Sequence, residues 1–235
     1  MTATPSLDTV ASGIPPYATV LFDLDGTLTD PLDGIANALA YALDRLGRPP
    51  VDRATVARLI GPPYTDGYVN VLGMTPAEAE ETIAVYREYF SERGLFENTV
   101  YDGIPALLQQ LSDAGVRCGL ATSKPETFAE RIVEHFGLRL DVVAGATLDG
   151  VRSRKGDVIA EAVRRLGGGD PARVDTTRMV MVGDRSHDVV GATEHGLPCI
   201  GVLWGYGDAD ELFGAGAAAV VATPADLTKL LLPAA

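Results

Sequence analysis

Three observations predict an α/β fold, a parallel sheet covered by helices and interrupted after its first strand by an all-helical insert. First, the apolar runs Thr19-Val20-Leu21-Phe22, Cys118-Gly119-Leu120-Ala121 and Met179-Val180-Met181-Val182 read as strands buried on both faces. Second, each run ends on a polar group: Asp23, Thr122 and Gly183-Asp184. Ligands of an open parallel sheet bind outside the carboxyl ends of its strands, so three distant segments would deliver these groups to one rim. Third, helix and strand patterns alternate from Tyr101 onward, whereas residues 31–98 read as helix and loop throughout.

The elements follow in chain order. Residues 1–16 hold Thr, Ser, Gly and Pro without a basic start or an apolar stretch, which predicts a loose tail and no signal peptide. Beyond the first strand, Asp30 suits an N-cap and Pro31 a first helical position. Leu32, Ile35, Leu39, Leu43 and Leu46 recur at helical spacing and give a helix to about Gly47. A short helix is expected over 52–60, stopped by Gly61-Pro62-Pro63, and a weaker one over 66–72. Thr75-Pro76-Ala77-Glu78 combines an N-cap, a first-turn proline and a capping-box partner. The helix it opens carries Ile83, Tyr86 and Phe90 on one face and ends near Gly94.

Ile104, Leu107, Leu108 and Leu111 then mark a helix before the 118–121 strand. Pro125 opens another helix with Phe128, Ile132 and Phe136 inward, and residues 141–144 read as a strand. A helix over 157–166, the 179–182 strand, a helix over about 187–195, a strand over 199–202 and a last short strand over 219–221 complete the pattern. The division is therefore a core of residues 17–30 plus 99–235 and a helical unit of residues 31–98.

Net charge is −13, from 32 acidic residues against 19 Lys plus Arg, and no basic stripe stands out. Nucleic acid and membrane surfaces are not expected partners, and no apolar run reaches membrane-spanning length. The expected location is cytoplasmic. An anionic substrate would need a locally positive site, from a metal or helix N-termini. Cys118 and Cys199 lie in apolar runs and read as buried, reduced thiols. Oligomeric state is not legible.

The chemistry sits at the strand ends. Asp23-Leu24-Asp25-Gly26-Thr27 places two carboxylates two residues apart where a strand gives way to a glycine turn. One can attack and the other can trade a proton; a capping aspartate at a plain turn would use the same residues. Gly183-Asp184-Arg185-Ser186-His187-Asp188 supplies two more carboxylates, four apart, where a helix begins. Carboxylates gathered on one rim repel unless a hard cation sits among them, and oxygen-only ligands favour Mg²⁺. Thr122-Ser123-Lys124-Pro125 couples a strand end to a helix N-terminus, whose free N–H groups bind anions. Lys155, in the run Arg152-Ser153-Arg154-Lys155, can neutralise a nucleophile or a phosphoryl group, or belong to a solvated basic loop.

In this order the four pieces resemble the haloacid dehalogenase superfamily: a DxDGT motif, a Thr at the second strand end, a lysine motif and a GDxxxD motif. The insert after the first motif resembles that family's small helical cap. Residues 182–188 and 201–207 are similar to the phosphoglycolate-phosphatase-like branch, with Ser123 where that branch often has asparagine. The resemblance implies a Mg²⁺-dependent phosphatase acting on a small phosphorylated metabolite. Asp23 would be the nucleophile forming an aspartyl-phosphate, and Asp25 the acid and then the base. Thr122 would hold phosphoryl oxygens, and Lys155 would offset charge. Mg²⁺ would sit on Asp23, Asp25, Asp184 and Asp188. Gly26, Thr27, Ser123, Lys124, Pro63 and Tyr64 would contact substrate. Arg45, Arg58, Tyr64 and Tyr68 are the insert side chains able to reach a leaving group, although each taken singly reads better as solvated or packed. Lys124 and Arg185 flank the core site, and His187 and His195 read as surface or packing residues.

Among rivals, Asp25 argues against a dehalogenase. The three lysines, Lys124, Lys155 and Lys229, all lie outside the insert, which removes a phosphonate-cleaving Schiff-base enzyme. A sugar-phosphate mutase and a phosphotransferase to another acceptor stay open. A non-catalytic receiver domain would be smaller and lack the Asp-x-Asp pair.

Overall fold

Strand alternation sets the layers. In β1 (Thr19–Phe22), Val20 and Phe22 face one side and Leu21 the other, and all three are fully buried. The same split recurs in β4 (Arg117–Pro125), with Leu120 opposite Ala121, and in β6 (Met179–Gly183), with Val180 and Val182 opposite Met179 and Met181. Strands buried on both faces must be covered by helices on both faces, and they are. The computed structural model describes residues 16–61 and 64–232, excluding the side chains of residues 64–66. The tail expected over residues 1–16 falls almost wholly outside the described residues, as does Pro63.

The six-stranded sheet is parallel, in the order β5-β4-β1-β6-β7-β8, with β5 Val142–Ala146, β7 Cys199–Val202 and β8 Ala219–Val221. The chain leaves central β1 for β4 on one side and later returns to β6 on the other, so the topological switch lies at the carboxyl end of β1. Asp23 stands there. One face is covered by α5 (Ile104–Asp113), α6 (Glu126–His135) and α10 (Pro224–Leu231). The other is covered by α7 (Lys155–Leu166), α8 (Ser186–Glu194) and α9 (Ala209–Gly214).

Between β1 and β4 the chain forms the antiparallel pair β2 (Thr29–Asp30) and β3 (Thr99–Val100). These two strands bracket α1 (Leu32–Arg45), α2 (Arg53–Ala57), α3 (Tyr64–Leu72) and α4 (Pro76–Tyr89), the last running into a π turn over Phe90–Gly94. Asp52 caps α2 through the Thr55 N–H, and the Thr75–Glu78 capping box opens α4 as its spacing predicts. Buried residues of α1, α4 and the π turn join the core on the α5–α6 face of the sheet.

Several boundaries differ from expectation. Asp30 does accept the Leu32 N–H (3.0 Å), but α1 stops at Arg45 and α2 at Ala57, while α3 starts earlier, at Tyr64. Strand β4 runs past residue 121 to Pro125, with a register shift against β5 between Thr122 and Pro125. Such a shift re-aims side chains. The β2–β3 pair, α9 and α10 were not expected, since two-residue strands and a six-residue helix fall below any usable periodicity. Both cysteines are free and buried, and burial pushes the Cys118 thiol up to about 12. No helix among the described residues is long and apolar enough to cross a membrane.

Candidate active site

Asp23 follows the last residue of β1, and its N–H donates to the Val182 carbonyl of β6 (2.9 Å), locking the strand end between its neighbours. The turn behind it is tight. The N–H groups of Thr27, Leu28 and Thr29 all donate to the Leu24 carbonyl, and Gly26 takes a left-handed φ of 84°. A Cβ there would overlap the Asp184 carboxylate, so glycine lets that group approach the turn.

Asp184, directly after β6, is fully buried. Its Oδ1 accepts from Thr27 Oγ1 (3.2 Å) and its Oδ2 from the Tyr206 N–H (2.8 Å). Gly205 is needed for the second bond, because a Cβ there would overlap both Asp184 and the Gly26 carbonyl. Asp188, in the first turn of α8, packs against Gly183 and accepts the Arg185 N–H at Oδ2 (3.1 Å). One oxygen from each of Asp23, Asp184 and Asp188 lies within 4.8 Å of the others.

Two lysines hold the carboxylates. Lys155, first residue of α7, donates to the Ala121 carbonyl (3.0 Å) and stands 2.9 Å from Asp23 Oδ1 and 2.7 Å from Asp188 Oδ1. Lys124 stands 2.7 Å from Asp25 Oδ2 and 4.8 Å from the centroid of the Phe90 ring. Asp25 Oδ1 is left buried without a hydrogen-bond partner.

Burial dominates the titration. Together with the charges of Asp188 and Asp23, it pushes the Asp184 carboxyl up to about 8. Burial pushes Asp188 up to about 6, with Lys155 opposing and Asp23 adding. It also raises Asp25, against the pull of Lys124. Burial works against the Lys155 ammonium, but Asp188 and Asp23 outweigh it and hold the proton more firmly than usual. Four carboxyl groups, Asp23, Asp25, Asp184 and Asp188, face two lysines, and fully ionised they would exceed the lysines by two charges, an excess that burial opposes by favouring the protonated forms of Asp25, Asp184 and Asp188. Three convergent oxygen donors and that imbalance fit a hard divalent cation.

A cavity of about 210 Å³ opens over this rim, lined by Asp23, Asp25, Thr122, Ser123 and Lys124 from the sheet side. Thr122 is buried and its Oγ1 accepts the Lys124 N–H (3.2 Å). The helical segment closes the other side with Ile35, Leu59, Ile60, Gly61, Ile83 and Arg87. Gly61 lines the cavity, while Pro62, Pro63 and the Tyr64 side chain, expected to face the site, lie outside the described residues. Gly26 and Thr27 do not line it; Thr27 is fully buried and tied to Asp184. Arg45 rests over the Tyr41 ring, Arg58 is exposed and Tyr68 is buried in the core, so none of the three lines the cavity. His187 and His195 are exposed at the two ends of α8. Arg87 and Tyr206 were not singled out from the sequence. Arg87 sits among polar residues with no motif around it, whereas the glycines flanking Tyr206 were a usable sign of close backbone approach.

The chain is similar to known proteins over most of its length. A 5′-nucleotidase from Pseudomonas aeruginosa is 41% identical over 198 residues, covering 83% of this chain and 87% of that protein. The tyrosine-protein kinase PtkA of Mycobacterium tuberculosis is 45% identical over 193 residues, 81% of this chain and 64% of the kinase's length. The crystal structure of a predicted phosphatase from Clostridium acetobutylicum superposes with a TM-score of 0.85 at 40% identity, covering 93% of this chain and 99% of that one. Residues 20–202 match the haloacid dehalogenase-like hydrolase family, and the chain belongs to it.

Proposed function

We propose that the chain is a Mg²⁺-dependent phosphatase that hydrolyses a small-molecule phosphate monoester through an aspartyl-phosphate on Asp23. The observation that carries this is the pair at the end of β1. Asp23 and Asp25 line one cavity, and Asp25 offers a buried oxygen with no partner of its own. In the first step an Asp23 oxygen bonds to phosphorus, the bond to the leaving oxygen breaks, and Asp25 gives that oxygen its proton. The burial that raises Asp25 favours the protonated form this step needs. In the second step water attacks phosphorus, Asp25 takes its proton, and the bond to Asp23 breaks to release phosphate.

Thr122, Ser123 and Lys124 bind the phosphoryl oxygens, with N–H groups at the start of α6 nearby. Lys155 orients Asp23 and offsets its charge. Asp23, Asp184 and Asp188, with the Asp25 backbone, would hold Mg²⁺, which when bound supplies charge stabilisation to the phosphoryl group. Residues 31–98 act as a cap over a core of residues 17–30 and 99–235, shielding the acyl phosphate from bulk solvent while admitting the water that Asp25 activates.

The test is Mg²⁺-dependent release of inorganic phosphate from para-nitrophenyl phosphate by wild type, Asp23→Asn and Asp25→Asn. Asp23→Asn is expected to abolish release and Asp25→Asn to slow it by about 10²–10⁴-fold. Full activity in Asp23→Asn, or phosphate passed to a tyrosine with none released, would overturn the assignment.

A further inference from the structure

Arg87 lies on α4, one turn after Ile83, and both side chains line the cavity from the helical side. Its Nε is buried without a hydrogen-bond partner. The guanidinium forms no ion pair with any described residue, although 32 acidic residues surround it in the chain. The two site lysines differ: Lys124, at the same cavity, faces Asp25, and Lys155, beneath the rim, faces Asp23 and Asp188. Arg87 is half-buried, with its Nε shielded and unpartnered, so its guanidinium keeps donors that a ligand in the cavity can take up.

Its position is fixed from both sides. Phe90, three residues on, stacks on Tyr86 with centroids 5.0 Å apart and meets Phe128 of α6 at 5.8 Å. Arg131 of α6 donates to the Ser91 carbonyl (2.6 Å). These contacts clamp the end of α4 to the core, and the Phe90 ring also carries the Lys124 ammonium. Arg87 therefore enters the cavity from the helical side, three residues before the ring that carries Lys124, while Thr122 and Ser123 line it from the sheet side.

We propose that Arg87 binds a second anionic group on the leaving-group side, so that the site selects small phosphate esters or anhydrides bearing a carboxylate or a further phosphate. Its planar fork suits either anion, since both accept two parallel N–H bonds. Ile35, Leu59, Ile60 and Ile83 beside it offer no hydrogen bonds from their side chains, which leaves a neutral polyhydroxyl leaving group poorly satisfied. This deepens the phosphatase assignment and rests on it.

The experiment compares wild type, Arg87→Gln and Arg87→Lys in Mg²⁺ on three probes. Phosphoglycolate carries a carboxylate, pyrophosphate a second phosphate, and 2-hydroxyethyl phosphate neither. Wild type is expected to prefer the anionic probes, and Arg87→Gln to reduce the kcat/KM ratio of anionic to neutral probe by roughly thirtyfold or more. Arg87→Lys is expected to recover part of it. Loss confined to one anionic probe identifies which anion the site takes. Ratios within about threefold of wild type for both anionic probes overturn the proposal. Calorimetric titration of the probes into Mg²⁺-loaded Asp23→Asn, with and without Arg87→Gln, keeps the test independent of turnover. A preference that collapses in binding while wild type hydrolyses nothing upholds Arg87 and overturns the phosphatase assignment. Equal binding of charged and neutral probes in Asp23→Asn overturns Arg87.

Discussion

Replacing Lys155 with methionine isolates the electrostatics of the rim, because the new side chain keeps the length and apolar stem while removing the charge. Lys155 Nζ sits 2.9 Å from Asp23 Oδ1 and 2.7 Å from Asp188 Oδ1, and its side chain is 5% exposed. At an effective dielectric of about 20, each such pair attracts by about 6 kcal/mol. Desolvation of the charges offsets most of that sum, and removing one partner of a buried pair costs about 3–5 kcal/mol in practice. For a domain of this size that is a Tm lower by about 6–20 °C.

The loss carries a pH signature. In the metal-free protein Asp184 and Asp188 have pKa values of about 8 and about 6, against 3.8 for a free aspartate. Each therefore keeps its proton in the fold after the unfolded chain has released it. Metal-free stability falls as pH rises from the free value through the raised ones. Lys155 is what holds Asp188 down, so without it the fall is steeper. Chelator-treated wild type and Lys155→Met, melted by circular dichroism near pH 5 and near pH 8, should differ more at pH 8 than at pH 5, where Asp188 holds its proton and its pair with Lys155 contributes least. A deficit under about 1 kcal/mol at both pH values, or the same deficit at both, would refute the reasoning.

Two further predictions come from the same contacts. Mg²⁺ should raise the Tm more near pH 8 than near pH 5, because binding must displace protons from Asp184 and Asp188; an equal shift at both, read by thermal unfolding, would mean these carboxyls are not the ligands. Arg185 Nη1 donates to the Ile60 carbonyl (2.5 Å) and Nε to Glu211 Oε1 (3.0 Å), tying the loop after β6 to the cavity end of α2. With a hydrogen bond to a charged group worth about 1.5–3 kcal/mol, Arg185→Met should speed amide exchange around residues 59–72 by roughly tenfold or more. Exchange that changes evenly over the chain, or not at all, would rule out a local tie.

The parallel sheet was legible because its central strands are buried on both faces and read as unbroken apolar runs, each ending on a residue that reaches the rim. Asp23, Asp25, Thr122, Lys124, Asp184 and Asp188 were legible for the same reason, whereas Lys155, in a basic run that read equally well as solvated, was pointed to by the family resemblance; all seven stand together. What failed to show lacks periodicity or depends on contacts across the fold. The β2–β3 pair is two residues long on each side. Thr27 stands in the first motif, yet its hydroxyl turns to Asp184, 157 positions away, and no local rule distinguishes that from a substrate contact. Arginines of the insert were indistinguishable by spacing; one rests over Tyr41, another is exposed, and only Arg87 comes to the cavity.

That last distinction resolves a conflict built into the composition. A chain of net charge −13 repels an anionic substrate, so the site must supply the attraction. Lys124 and Lys155 do not supply it alone, since each is matched at under 3 Å by carboxylates that outnumber the two of them. A divalent cation among Asp23, Asp184 and Asp188 brings the rim near neutrality and no further. Among the described residues, the positive charge left over at the cavity is the guanidinium of Arg87, held on an aliphatic wall with no described carboxylate paired to it. Attraction for the substrate is thereby divided. On the proposed assignment the rim is balanced for attack by Asp23 on an anionic phosphorus, and the surplus charge is set back where it would act on the rest of the molecule.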